Sequence, residues 1–310
     1  MPRGAQEMAI DHNTLQLEKL LARAQLPALP QSAIRLFELS QDSNNSSAEF
    51  AVPIESDPGL TSQVLRFVNS SYFGFSHEIS SIKLAVSLVG IRTIKNFTLW
   101  SAVFSLMPNP KCGPFDLKSL WQDSLRRAVF ARRFGKLLGL PDTEDLFAAA
   151  LLQDMAVPIL AKELPTEYES LFERRCGGQF GLSELEASAF GWTHADAGAF
   201  IARSWHLPEA FASLIESHGS LDQHVSNAAK NREAVAVSLS AQLPSTVDDE
   251  WFDRERFLAA YERCAPPNAA PAAAFFKTID TEFAEFAPVL KLAAPAKPLA
   301  EWLDSELELA

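Results

Sequence analysis

Residues 151–160, LLQDMAVPIL, form an apolar run that contains a single carboxylate, Asp154. A run of this composition is expected in the interior of the protein. Burying an ionised carboxylate is costly unless it is paired, hydrogen-bonded to a cation or neutralised. The sequence therefore predicts a partner for Asp154, or the remnant of a site that once supplied one.

The apolar residues around this run recur with the period of an α-helix, and the same period continues along nearly the whole chain. Valine and isoleucine never alternate cleanly with polar residues, so we predict no strands and an all-α fold. Helix starts are marked by Ser46–Ser47 with Glu49 and by Asp57–Pro58. The predicted helices lie near residues 14–24, 31–41, 46–56, 59–69, 80–88, 90–106, 117–138, 143–163, 165–175, 182–190, 194–204, 208–217, 229–242, 253–263, 271–290 and 297–308.

Composition narrows the class of protein. The net charge of −12 argues against general nucleic-acid binding. The three cysteines are widely spaced and form no CxxC pair, which favours a reducing compartment. The sequence shows neither an apolar signal-peptide core, nor a membrane-spanning stretch, nor a glycine-rich phosphate loop. We therefore expect a cytoplasmic protein that binds neither nucleic acid nor a membrane.

Two irregular stretches divide the chain. MPNPKCGPFD at 107–116 and PPNAAPAAA at 266–274 are rich in residues that end helices. The final stretch, PLAEWLDSELELA, is amphipathic, and we expect it either to pack on the protein's own body or to dock on another protein. The predicted segments are a leader (1–19), an N-terminal helical subdomain (20–110), a helical core (111–245) and a C-terminal helical extension (246–310).

Polar side chains on three other predicted helices could meet Asp154. Asp123 falls on the apolar side of the helix at 117–138, an unusual place for a carboxylate. His194 lies at a predicted helix start that Asp196 would favour, and His218 lies at the end of the next helix. Helical bundles build metal sites from carboxylates and imidazoles arranged in this way. The alternative is a hydrogen-bonded polar cluster that fixes how the helices pack.

The helix at 117–138 also carries four basic residues. We predict that they form one basic face, which either is simply solvated or meets a phosphate or an acidic partner. The residues are Arg126, Arg132, Arg133 and Lys136.

Several motifs, in order, resemble the HDOD family, a branch of the HD superfamily of metal-dependent phosphohydrolases found in bacterial signalling proteins. The resemblance covers roughly residues 20–245 and implies an HD-like helical core preceded by an N-terminal helical subdomain. The motifs are LPALPQSAIRLFELSQD (26–42), SDPGLTSQVLRFVNSSYFG (56–74), ISSIKLAVSLVGIRTIKNFTL (79–99), LWQDSLRRAVFARRFG (120–135), DLFAAALLQDMAVPILA (145–161) and THADAGAFIARSWHLPEAF (193–211).

The resemblance also implies which metal ligands are kept. HD enzymes place a histidine where this chain has Asp123, a His-Asp pair where it has Gln153–Asp154, and an aspartate near Ala241. Asp154 is retained, and the related cyclic-dinucleotide phosphodiesterases have histidines that correspond to His194 and His218. Their GYP signature is not found here.

The replacements favour a non-catalytic signalling module that acts by protein contact. Gln153 is a poor substitute for imidazole and Ala241 offers no ligand atom, so a two-metal hydrolase is not expected. The remnant cluster is predicted to be Asp123, Gln153, Asp154, His194 and His218. No cofactor is expected, although Asp154, His194 and His218 could hold one Fe, Mn or Zn ion weakly. The alternatives are a residual metal-dependent phosphohydrolase and a sensor that binds a nucleotide or cyclic dinucleotide without cleaving it.

Overall fold

The secondary structure of the described residues is helical, which confirms the all-α prediction. The computed structural model describes residues 12–24, 26–40 and 45–304, and no strand occurs within these ranges. Among the same residues, no helix has the length and apolar character needed to cross a membrane.

Six helices lie in the part of the chain predicted as the leader and the N-terminal subdomain. The predicted caps are confirmed: Ser46 and Glu49 make a reciprocal capping box, and the Asp57 carboxylate accepts from the Leu60 backbone N–H. The predicted boundary at residues 19/20 lies inside the first helix. The six helices are α1 (His12–Arg23), α2 (Gln31–Ser40), α3 (Ser47–Glu55), α4 (Pro58–Val68), α5 (Ile82–Val89) and α6 (Ile91–Leu106).

Nine helices lie in the segment predicted as the helical core. The longest, α7, packs against both α8 and α15. The nine are α7 (Leu117–Leu137), α8 (Thr143–Leu152), α9 (Val157–Glu163), α10 (Pro165–Arg174), α11 (Leu182–Phe190), α12 (His194–Ser204), α13 (Glu209–Glu216), α14 (Leu221–Ser226) and α15 (Arg232–Ala241).

The single helix predicted at 143–163 was wrong. The α-helix ends at Leu152, residues 153–156 form turns, and a new helix begins at Val157. In a continuous helix the Pro158 ring would clash with the backbone carbonyl of Asp154. Proline also has no backbone N–H that could donate to this carbonyl. At the second position of α9 the proline has no such conflict. The predictions also missed the short helix α14.

The C-terminal extension packs on the core through aromatic side chains. Phe130 of α7 contacts Phe257 and Phe275, with ring centroids 5.6 and 5.4 Å apart. Leu299 and Trp302 are buried, which confirms packing on the protein's own body for this part of the tail. Leu307 lies outside the described residues. The extension contains α16 (Arg254–Cys264), α17 (Ala272–Phe286), a 3-10 turn (Ala287–Leu290) and α18 (Glu301–Asp304).

Candidate functional site

The site is centred on the turn between α8 and α9, which contains Asp154. The backbone carbonyl of Asp154 accepts from the Val157 N–H at 3.0 Å. The side chain is therefore held at a helix junction rather than on a helix face. Apolar residues surround it on both sides in sequence, and the carboxylate is buried.

His194 is fixed at the first position of α12. Gly191 ends α11 with a left-handed φ of 76°, which favours glycine. Thr193 and Asp196 then form a capping box at the start of α12. The predicted role of Asp196 at this terminus is confirmed. His218 follows the end of α13, also as predicted.

Three ligand atoms meet at this point. His194 Nε2 lies 3.3 Å from Asp154 Oδ1 and 3.2 Å from His218 Nε2. His218 Nε2 lies 3.7 Å from the same carboxylate oxygen. The structure thus brings together Asp154, His194 and His218, as the sequence predicted.

The Nδ1 atom of each histidine makes a hydrogen bond that fixes the orientation of its imidazole ring. His194 Nδ1 lies 2.6 Å from Glu186 Oε2, and the other Glu186 oxygen accepts from the Tyr168 hydroxyl at 2.7 Å. His218 Nδ1 lies 2.6 Å from the Ile215 carbonyl oxygen, which can only accept. A neutral His218 therefore carries its proton on Nδ1 and presents a free electron pair at Nε2.

Arg127 completes the cluster and was missed from the sequence. Its guanidinium forms an ion pair with Asp154 Oδ2. Arg127 lies one helical turn after Asp123 on α7, so the helical period predicts that both side chains lie on the same face of the helix. Glu186 was also missed, because its spacing from His194 matches no motif.

The charges in this cluster move the three pKa values apart. Burial alone would raise the pKa of Asp154, but Arg127 and His194 hold it well below its usual range. Burial opposes the charge on His194, yet Glu186 and Asp154 raise its pKa to about 10. Burial and the nearby His194 charge lower the pKa of His218 to about 4. His194 is thus a cation that can donate to a neutral His218 at neutral pH.

The other two predicted members of the cluster behave differently. Asp123 accepts from Ser245 Oγ and from the Thr246 backbone N–H, the latter at 2.8 Å, rather than from the histidines. Gln153 is fully buried, and neither polar atom of its amide has a hydrogen-bond partner in the described structure. The prediction that all five side chains form one satisfied network is therefore corrected.

The basic face of α7 also needs correction. Arg126 and Arg132 are 1% and 2% exposed, so neither is available to a partner protein. Arg126 donates to the Lys297 carbonyl oxygen at 2.8 Å, and Arg132 pairs with Glu282. These arginines face the protein's own extension because aromatic packing draws α17 against α7. Arg133 also pairs with Glu282, and Lys136 is exposed.

The donor set suits one divalent ion. Asp154, His194 and His218 offer one carboxylate and two imidazole nitrogens within 4.8 Å of one another, each imidazole oriented by an outer acceptor. Binding would require His194 to release its Nε2 proton beside an existing Arg127 cation. For a second ion, Ala241 supplies no ligand atom, and the Asp123 carboxylate already accepts from Ser245 and Thr246.

A half-open cavity of about 340 Å³ leads from the surface to this cluster. Its walls combine apolar side chains with carboxylates and two arginines. The lining residues are Pro114, Phe115, Asp116, Ser119, Leu120, Asp123, Arg127, Asp154, Val157, Phe172, Glu173, Arg175, Gly177, Leu182, His194, Ser245, Val247 and Asp248.

The family of the protein follows from the match to known sequences. The model of the HDOD domain matches residues 26–221. The chain belongs to the HDOD family. An uncharacterised protein of Treponema pallidum (strain Nichols) is 23% identical over 197 residues, which are 63% of this HDOD chain and 38% of that protein. The chain thus spans well under half the length of this relative.

Solved structures share the fold of this HDOD protein. An HDOD domain protein of unknown function from Geobacter sulfurreducens gives a TM-score of 0.64 at 18% identity, over 96% of this chain and 95% of that chain. A Shewanella amazonensis SB2B protein, provisionally named a phosphohydrolase, gives a TM-score of 0.62 at 21% identity. The match covers 95% of this chain and 94% of that chain. A Marinobacter aquaeolei VT8 protein, provisionally named a signal transduction protein, gives a TM-score of 0.63 at 20% identity. The match covers 90% of this chain and 63% of that chain.

Proposed function

We propose that this HDOD protein is a non-catalytic module of bacterial signal transduction that acts in the cytoplasm through contacts with another signalling protein. The observation that carries the proposal is the ion pair between Arg127 and Asp154. The retained aspartate already has a fixed cation, so its charge is compensated without a metal ion. The replacements at Gln153 and Ala241, which offer neither an imidazole nor a carboxylate, support the same proposal.

A residual metal-dependent phosphohydrolase is the second candidate. The convergence of Asp154, His194 and His218 favours it. A bound ion would supply a Lewis acid and a more acidic water, while Glu186 and the Ile215 carbonyl would keep the imidazoles aimed at it. A sensor that binds a nucleotide without cleaving it is the third, and the cavity beside the cluster favours it.

Metal content and turnover distinguish the first two candidates. Protein purified without chelator should contain substoichiometric Fe, Mn and Zn by elemental analysis. With each metal added, hydrolysis of bis(p-nitrophenyl) phosphate should not exceed that of the Asp154→Ala variant. Stoichiometric metal together with turnover that Asp154→Ala abolishes would overturn the proposal.

The role of Arg127 has its own test. Arg127→Met should bind Zn²⁺ more tightly than the unmodified protein, because the competing cation beside Asp154 is gone. Lys136→Met removes a charge from the same helix outside the cluster and should leave Zn²⁺ affinity unchanged. Isothermal titration gives both affinities. Equal affinity in the Arg127 variant would show that the guanidinium does not protect the site. Flat heats with cyclic dinucleotides would count against the sensor.

A further inference from the structure

We propose that the cavity beside Asp123 binds a small organic cation, an amine attached to an aromatic or apolar body. This ligand would be an input to the regulatory module. The inference goes beyond the proposed function and does not depend on whether the site hydrolyses anything, because binding is measured directly.

The cavity has the size and walls of a small-molecule site. Its volume of about 340 Å³ is at the lower end of the range for ligand pockets. Phe115 and Phe172 stack on each other with ring centroids 5.5 Å apart. Leu120, Val157 and Leu182 extend the apolar surface. A flat ring system can therefore bury most of its area against these side chains.

The positive charges in the cavity wall are already engaged. Arg127 pairs with Asp154, and Arg175 pairs with Asp248 at 2.5 Å. His194 lies between the carboxylates of Asp154 and Glu186. An anionic ligand would have to compete with these internal carboxylates for every cation that it could reach.

The unpaired charge in the wall is negative. Asp123 is 5% exposed and accepts two hydrogen bonds, yet it has no ion-pair partner within 4.0 Å in the described part of the chain. Arg126 and Arg127 interact with its charge over a longer distance, but Arg127 is paired with Asp154 and Arg126 does not line the cavity. Burial and the field of Asp123 both raise the pKa of nearby Asp248. Asp116 and Glu173 add two more carboxylates toward the opening. A buried carboxylate without a direct ion pair, next to further carboxylates, favours a cation that brings its own apolar surface.

Three ligands that differ only at the end of one chain test the charge preference. Tryptamine, tryptophol and indole-3-propionate share the same indole ring and two-carbon linker, with an ammonium, a hydroxyl and a carboxylate respectively. Isothermal titration of the unmodified protein should show saturable one-to-one binding of tryptamine. Its affinity should exceed that of indole-3-propionate by at least about tenfold, with tryptophol between them.

Two matched substitutions locate the site. Asp123→Asn should remove most of the preference for tryptamine. Asp249→Asn makes the same change on an exposed residue outside the cavity lining and should keep the preference. Circular dichroism establishes that each variant is folded. If Asp123→Asn fails to fold, the three-ligand comparison and Asp248→Asn decide the question.

Three outcomes would overturn the inference. The first is no saturable tryptamine binding at concentrations up to about 10 mM, the range of the weakest specific ligands. The second is equal or tighter binding of indole-3-propionate. The third is an unchanged tryptamine preference in a folded Asp123→Asn variant, which would place the amine elsewhere on an acidic surface.

Discussion

At Asp154, one carboxylate faces a permanent cation on one side and two imidazoles on the other. The two imidazoles respond in opposite ways, because Glu186 lies behind His194 and only a neutral carbonyl lies behind His218. One ring is therefore held charged and the other neutral. The stability of the fold should depend on pH through both rings.

We expect these two histidines to favour a stability maximum near pH 6.5 in metal-free buffer. The folded pKa of His194 is about 10, above its unfolded value of 6.5, so its contribution is present below pH 6.5 and is lost as pH rises toward 10. The folded pKa of His218 is about 4, so its contribution is lost as pH falls from 6.5 toward 4. Each limb should amount to several kcal/mol. Urea denaturation across pH measures the free energy of unfolding.

Single substitutions separate the two limbs of this profile. His194→Gln should flatten the alkaline limb relative to the unmodified protein, and His218→Gln should flatten the acid limb. His206, which is not buried, is the control position, and His206→Gln should leave both limbs in place. Parallel profiles for the His194 variant and the unmodified protein above pH 7 would contradict the assigned charge state.

At the scale of helices, the two histidines meet because α12 and α13 pack closely. Gly198 of α12 makes this approach possible. A Cβ at this position would lie 2.9 Å from Ile215 Cγ2, and Ile215 also supplies the carbonyl that orients His218. Ile215 is fully buried and β-branched, so it cannot easily move aside.

Gly198→Ala should therefore lower the free energy of unfolding. Overpacking typically costs about 1–3 kcal/mol, and the better helix propensity of alanine recovers up to about 1 kcal/mol of it. Gly219→Ala is the matched control, because a Cβ there meets nothing within 4 Å. Urea midpoints give the comparison. A Gly198 variant as stable as the Gly219 variant would show that the α12–α13 contact is not tight.

Sequence reasoning identified the helices and the three converging ligands, because periodicity, caps and retained motif residues are local signals. It failed where a local signal was outweighed or missing. Pro158 indicates that the helix is interrupted before it, but the apolar run at 151–160 favoured one continuous helix. The partners Arg127 and Glu186 depend on how separate helices pack, and neither has a distinctive spacing from Asp154 or His194.

At the scale of the whole molecule, Arg132 joins three parts of the chain. Its guanidinium pairs with Glu282 of the extension and with Glu144 of the core, and it lies 5.3 Å from the ring centroid of Tyr72 in the N-terminal subdomain. The family match ends at residue 221, whereas the interactions that support α7 continue to Lys297. We therefore expect the extension to unfold together with the rest of the chain.

Removing the charge of Glu282 should destabilise all three parts together. Glu282→Gln leaves the buried Arg132 short of a counter-ion, and we expect a loss of about 2–4 kcal/mol in the free energy of unfolding. Glu285→Gln, on the exposed side of the same helix, should change it by less than about 0.5 kcal/mol. Tryptophan fluorescence and far-UV circular dichroism should report one coincident transition. Separate transitions would show that the parts fold independently.

The guanidinium of Arg127 also constrains how this lineage could evolve. Imidazoles at positions 123 and 153 would not by themselves create a two-ion site, because the Arg127 cation would still repel the incoming ions. Position 127 would also have to change, and that step leaves the buried Asp154 with His194 as its remaining cationic partner. Under the proposed non-catalytic role, Arg127 would therefore make a gain of hydrolysis through substitutions elsewhere in the cluster more difficult.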